Sequence, residues 1–203
     1  MQLSSILENI VNDDQLHSKW LNTLSYMENA GAKKISASEH KEEVTLLILK
    51  HAAEEHRHAY YLKKQLAKLD ENLCKTYTNA ELLVPNHTRF YLNTLDVQVC
   101  RYLKKHFNLS GFDLKFAAYL FVTYAIEVRA DELYPIYQQI LTAKASKVTV
   151  KSIILEEEGH LEEMLNQLRE FSPDWEKHAE AIIQIEQKMF TNWMQSLAQV
   201  ANE

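Results

Sequence analysis

Two short stretches carry the residues able to do chemistry. LKHAAEEHRHAYYLKKQL (Leu49 to Leu66) holds His51, Glu54, Glu55, His56 and His58 within eight residues. EEEGHL repeats the spacing Glu-x-x-His as Glu157 and His160. A glutamate and a histidine three residues apart share one helix face. Together they offer the oxygen and imidazole donors that suit iron or manganese better than zinc.

Projection at about 100° per residue shows where these side chains point. Glu55 falls in the middle of the apolar stripe made by Ile48, Ala52, Ala59, Leu62 and Leu66, with His58 on its edge. Glu157 is centred the same way among Ile153, Ile154, Leu161 and Met164, and His160 again lies on the edge. Glu28 centres the stripe of Leu21, Leu24, Ala32 and Ile35, and Glu127 that of Phe116, Leu120, Thr123 and Tyr134. An ionised carboxylate inside a core is costly unless it is paired or binds a metal. Four of them facing one another repel, and two divalent ions between them would neutralise the layer, with His58 and His160 capping each ion from the side.

The elements that must position them are helices. With three Gly and three Pro in 203 residues, the chain has few turn signals and favours long helices over strands. A short amphipathic piece, Leu3 to Val11, precedes a long helix from about Gln15, and Ser36 to Glu39 reads as a capping box that restarts a helix. The second long helix covers Glu42 to Leu69, and Asp70 to Asn86 is a connection. Further helices are expected over Thr88 to His106, Phe112 to about Leu141 with a kink at Pro135, and Lys147 to Arg169. A closing helix follows with Ser172 as N-cap and Pro173 at N1. A single all-α domain over residues 1–203 is expected, with the bundle core about 15–170 and the closing helix about 173–201.

A formal charge of −6 and no basic cluster argue against nucleic acid as a partner. Cys74 and Cys100 are too few for a disulfide framework. No apolar run approaches the ~20 residues of a membrane span, so a cytoplasmic protein is expected.

The order Glu28 (SYMENAG), Glu55 and His58 (EEHRHA), Glu127 (YAIEVRA), Glu157 and His160 (EEEGHL) resembles the ferritin-like di-iron carboxylate superfamily. The resemblance spans roughly residues 15–170. It implies an antiparallel four-helix bundle with a long crossover and additional helices. It further implies a ligand set of Glu28, Glu55, His58, Glu127, Glu157 and His160 around two metal ions, two irons or an iron–manganese pair, that react with O2 or peroxide. Oxidation of a small organic substrate with an external electron donor is the expectation. An iron-handling ferroxidase and a non-catalytic helical interaction module are the alternatives. No group beyond the metal ligands is assigned a catalytic role.

Equal arms around the first connection require a turn near Lys41, whereas the capping signal sits at Ser36. His51 is either an additional ligand or a hydrogen-bonded core histidine. Asp131 either orients a ligand histidine from behind or faces solvent. His17 shares the face of Glu28 but lies about 16 Å away, too far for the same metal. The last helix closes the bundle or mediates a homodimer; its periodicity fits both.

Overall fold

The structure is a computed structural model; it describes residues 2–70 and 72–202, except the side chain of residue 158. Seven α-helices account for the regular structure among these residues, with one 3-10 turn at Asn79–Glu81 and no strand. They are α1 (Leu3–Asn12), α2 (Asp14–Ser36), α3 (Leu46–Leu66), α4 (Pro85–Phe107), α5 (Gly111–Ala143), α6 (Lys151–Phe171) and α7 (Trp175–Val200). No single helix is long and apolar enough to cross a membrane.

Local chemistry sets the boundaries. Asp13 caps α2 by accepting the Leu16 N–H at 2.8 Å. The expected helix restart at Ser36 does not form, and α3 begins at Leu46 rather than Glu42. The His40 ring is the reason: its Nδ1 accepts the N–H groups of Glu42 and Glu43, which turns the chain instead of starting a helix. The loop is therefore centred near Lys41. Glu28 stands eight residues before the end of α2 and Glu55 nine after the start of α3, so the two arms match.

Between α3 and α5 runs a long connection, pinned to α2 by Asn22. Its Nδ2 donates to the carbonyls of Thr76 (2.9 Å) and Glu81 (2.7 Å). Helix α4 starts at Pro85, three residues earlier than expected, with proline at N1 where its missing N–H costs nothing. At NLSG, Asn108 and Gly111 take positive φ angles of 55° and 58°, and α4 and α5 are bent by 119° there. Helix α5 continues through Pro135. Helix α6 starts at Lys151 rather than Lys147, because Gln138 Oε1 holds the Thr149 hydroxyl and the Val150 N–H. Helix α7 starts at Trp175 with Asp174 as N-cap; Ser172 and Pro173 form the turn before it.

Two apolar clusters fill the interior, one around Trp20, Leu62, Tyr137 and Trp193, the other around Leu95, Leu103, Phe121 and Leu168. On α2 the site glutamate falls between Leu24 of the first cluster and Ile35 of the second; on α6, Glu157 falls between Ile153 and Met164. On α3 and α5 the order is reversed, from Ala52 to Leu62 and from Ala125 to Leu133. The four glutamates thus form one layer between two apolar halves. Helices α3 and α5 run the same way, opposite to α2 and α6, and the long connection makes that possible.

His17 is buried, its Nε2 2.6 Å from Tyr137 Oη. Burial pulls its pKa down to about 4 from 6.5 despite the nearby Asp14 carboxylate. The unfolded chain therefore binds a proton that the fold refuses between those two values, and stability falls as pH drops through that window. The loss is expected to be on the order of 3 kcal/mol by pH 4. Urea unfolding of His17→Gln should show a correspondingly flatter stability profile between pH 6.5 and 4 than the parent; an unchanged slope would contradict this.

Candidate metal centre

The glutamate layer brings together all six residues expected from the sequence. One set of donor atoms from Glu55, Glu127, Glu157 and His160 lies within 4.8 Å of one another, and so does a second set from Glu28, Glu55 and His58. Glu55 belongs to both sets. Glu157 reaches both histidines, with Oε1 3.1 Å from His58 Nδ1 and Oε2 3.3 Å from His160 Nδ1. Glu127 lies 3.7 Å from His160 Nδ1, and Tyr134 donates a hydrogen bond to Glu28. Glu55, Glu127, Glu157, His58 and His160 are all buried.

The two histidines are held by reciprocal partners that helix projection alone did not single out. His58 on α3 presents Nε2 to Glu156 Oε2 of α6 at 2.8 Å, and His160 on α6 presents Nε2 to Glu54 Oε2 of α3 at 2.8 Å. Arg57 also donates to Glu156 at 2.6 Å. In the sequence the signal is the glutamate immediately before each Glu-x-x-His, which points outward on its own helix but meets the facing one. With a carboxylate at the outer nitrogen to accept its N–H, each Nδ1 faces inward and would offer its lone pair to a metal that displaces its proton.

Those inward atoms decide whether a metal fits. His58 Nδ1, His160 Nδ1 and Glu157 Oε2 are buried and make no hydrogen bond. Buried polar atoms are satisfied as a rule, so unsatisfied ligand atoms set among four carboxylates call for a cation. The charge balance says the same. Burial, then the Glu55 carboxylate, pushes the pKa of Glu28 well up. Burial, then Glu157, does the same to Glu127. Burial alone would lower His58, but Glu157 and Glu55 override it and push it up to about 12. Glu157 is itself held low despite its burial, by Glu127 and the two histidines. Without metal, protons occupy the place of the positive charge. A buried cluster of glutamates and histidines able to hold metal is the result.

The remaining candidates are placed as follows. His51 is buried, but both nitrogens are engaged, Nδ1 with Tyr119 Oη at 2.8 Å and Nε2 with Glu163 Oε2 at 2.9 Å; it is a hydrogen-bonded core histidine. Asp131 is exposed, which leaves the orienting role to Glu54 and Glu156. Arg129 is a buried cation on α5. It is paired with Glu186 of α7 and does not neutralise the glutamate layer.

Beside the layer lies a cavity of about 330 Å³ between α2, α4 and α5, with Glu28, Glu55 and Glu127 on its wall. The rest of the wall is mainly apolar, from Leu24, Met27, Leu95, Val122 and Ile126 among others. Gly31 lies on this wall one turn from Glu28, and a side chain added there would meet open space.

Loss of one outer carboxylate should weaken metal binding without abolishing it. Glu156→Ala is expected to lower Fe(II) affinity about 10–100-fold at an unchanged stoichiometry. Competition with a chromogenic chelator measures this, and parental affinity would show that His58 needs no such support.

Comparison with protein-family models, curated proteins and solved structures gives no match to this chain.

Proposed function

We propose that the protein is a ferritin-like di-metal carboxylate oxidoreductase that uses O2 or peroxide to oxidise a small organic substrate. The observation that supports this reading is the crossed pairing of His58 with Glu156 and His160 with Glu54, which aims two unsatisfied Nδ1 atoms at four glutamates. Iron at both positions, or iron with manganese, suits a donor set of carboxylates with one imidazole per metal. Glu28 and His58 would serve one ion and Glu127 and His160 the other, with Glu55 and Glu157 shared. The parallel course of α3 and α5 fits the long crossover of a ferritin-like bundle.

Iron held by these residues would supply the chemistry of O2 binding and reduction, with electrons from an external donor. The chain contributes the rest. Glu54 and Glu156 fix the imidazole tautomers, and the Tyr134 hydroxyl orients Glu28. The apolar halves above and below exclude water. The adjoining cavity favours oxidation of an organic molecule over storage of iron, because it gives such a molecule a largely apolar place beside three of the glutamates.

The test is to load the metal-free protein anaerobically with Fe(II), admit O2, and follow O2 uptake together with near-ultraviolet charge-transfer absorption. Rapid uptake on the order of one O2 per loaded site, with new absorption, is expected. Loaded protein that leaves O2 untouched, or that accumulates iron far beyond the two sites, would overturn the reading.

A further inference from the structure

The cavity beside the glutamate layer is thinly closed on one side. Its wall on α5 is buried at Ala118, Tyr119 and Thr123. Its border on α2 and α4 is partly exposed instead. Met27, Gly31 and Lys34 form one stripe along α2, and Leu92, Asp96 and Cys100 form another along α4. Both stripes line the cavity, so the seam between these two helices lies over it.

One side chain stitches that seam. Lys34 reaches from α2 to α4, where its ammonium donates to the Leu92 carbonyl at 2.9 Å and stands 3.7 Å from Asp96 Oδ2. These are the hydrogen bond and the ion pair between α2 and α4 among the described residues. Gly31, one turn before, contributes no side chain, and a Cβ there would meet nothing within 4 Å. The aliphatic stem of Lys34 is therefore the cover on this stretch, with its charged end held at the rim.

Such a cover moves easily. The Lys34 and Asp96 side chains are 36% and 44% exposed, and an exposed ion pair contributes little to stability. Exposed side chains change rotamer within nanoseconds once their contacts break.

We infer that Lys34 is the gate of the cavity. Latched on Leu92 and Asp96 it shuts the seam; released, it opens a path between α2 and α4 for an apolar molecule moving toward the glutamate layer. The latch re-forms over an empty and over a filled cavity alike. It therefore sets how fast a ligand exchanges and leaves its affinity unchanged. Salt screens an exposed pair, so ionic strength speeds the exchange. This inference concerns entry alone and does not depend on the proposed oxidation.

The test is stopped-flow binding of N-phenylnaphthylamine, a neutral dye that brightens in apolar surroundings, to the full chain. Asp96→Lys sets two ammonium groups against each other. It is expected to raise the association and dissociation rates together by about fivefold, the size an exposed pair allows, with Kd within about twofold of the parent. The exchanged pair Lys34→Glu/Asp96→Lys should bring both rates back toward the parent. Added salt should speed the parent and leave Asp96→Asn unaffected. Gly31→Leu puts a side chain into the cavity and should abolish dye binding; its unfolding curve checks that it folds. Full binding by Gly31→Leu would place the dye elsewhere, and xenon exchange followed by NMR then makes the same comparison inside the cavity. Equal exchange rates in the parent and Asp96→Lys, for dye and xenon alike, would overturn the gate. So would a faster dissociation matched by an equal loss of affinity, because Lys34 would then be part of the binding wall and not a barrier to entry.

Discussion

Glu157→Ala is expected to lose both metal ions, not one. Its two oxygens lie 3.1 Å and 3.3 Å from the inward nitrogens of both histidines, closer than Glu55, which approaches the same two atoms at 3.7 Å and 3.8 Å. Fe(II) affinity should fall by more than about 100-fold, the upper end of what loss of an orienting partner alone costs. The effect also appears in stability. A metal that binds only the folded chain adds about 2.7 kcal/mol at a hundredfold excess over its dissociation constant. Parent protein should therefore unfold at higher temperature when Fe(II) is added anaerobically, and Glu157→Ala should not respond. Asp131→Ala, a change at an exposed carboxylate on α5, serves as the control and should load and respond like the parent. Two irons retained by Glu157→Ala would show that this carboxylate is not shared between the sites.

Arg129→Met is expected to cost about 3–5 kcal/mol of stability, independent of metal. Glu186 is 1% exposed and depends on Arg129 for its countercharge, through Nε at 3.0 Å and Nη2 at 2.7 Å. Tyr91 donates to the same carboxylate at 2.7 Å but brings no charge. The guanidinium also lies 3.9 Å from the Phe190 ring centroid, so the link ties α5 to α7 through packing as well as charge. Removing the cation leaves a buried anion without a partner, whereas removing both charges does not. The double variant Arg129→Met/Glu186→Leu should therefore recover most of the loss in urea unfolding. If the double variant is as unstable as the single one, the penalty comes from lost packing and not from an orphaned carboxylate.

The sequence made much of the glutamate layer legible, because a carboxylate centred in an apolar stripe is a contradiction visible from one helix. Glu28, Glu55, Glu127 and Glu157 each show it, and the structure brings them to one level. Glu54 and Glu156 were not legible in that way. Each projects about 100° from its neighbour and looks solvent-facing until the opposite helix is present. Arg129 and Glu186 escaped for the same reason, since a buried pair across α5 and α7 depends on how distant elements meet. Helix starts were misplaced where a side chain outcompeted the local signal: His40 at the entry to α3 and Gln138 at the entry to α6 both capture backbone N–H groups that a capping pattern would assign to a helix. His51 illustrates a further limit. Its position on the helix face is compatible with a ligand, and only the partners on both nitrogens decide otherwise.

The central claim is that the layer exists to hold two metal ions, and an anaerobic Fe(II) titration of the metal-free protein tests it most directly. Saturation at two irons per chain, read by calorimetry and by protein-bound iron after gel filtration, is the predicted result. Stoichiometric binding that is absent would mean that protons shared among Glu28, Glu127 and the two histidines are the layer's resident positive charge, and the proposed oxidation chemistry would fall with the metal site.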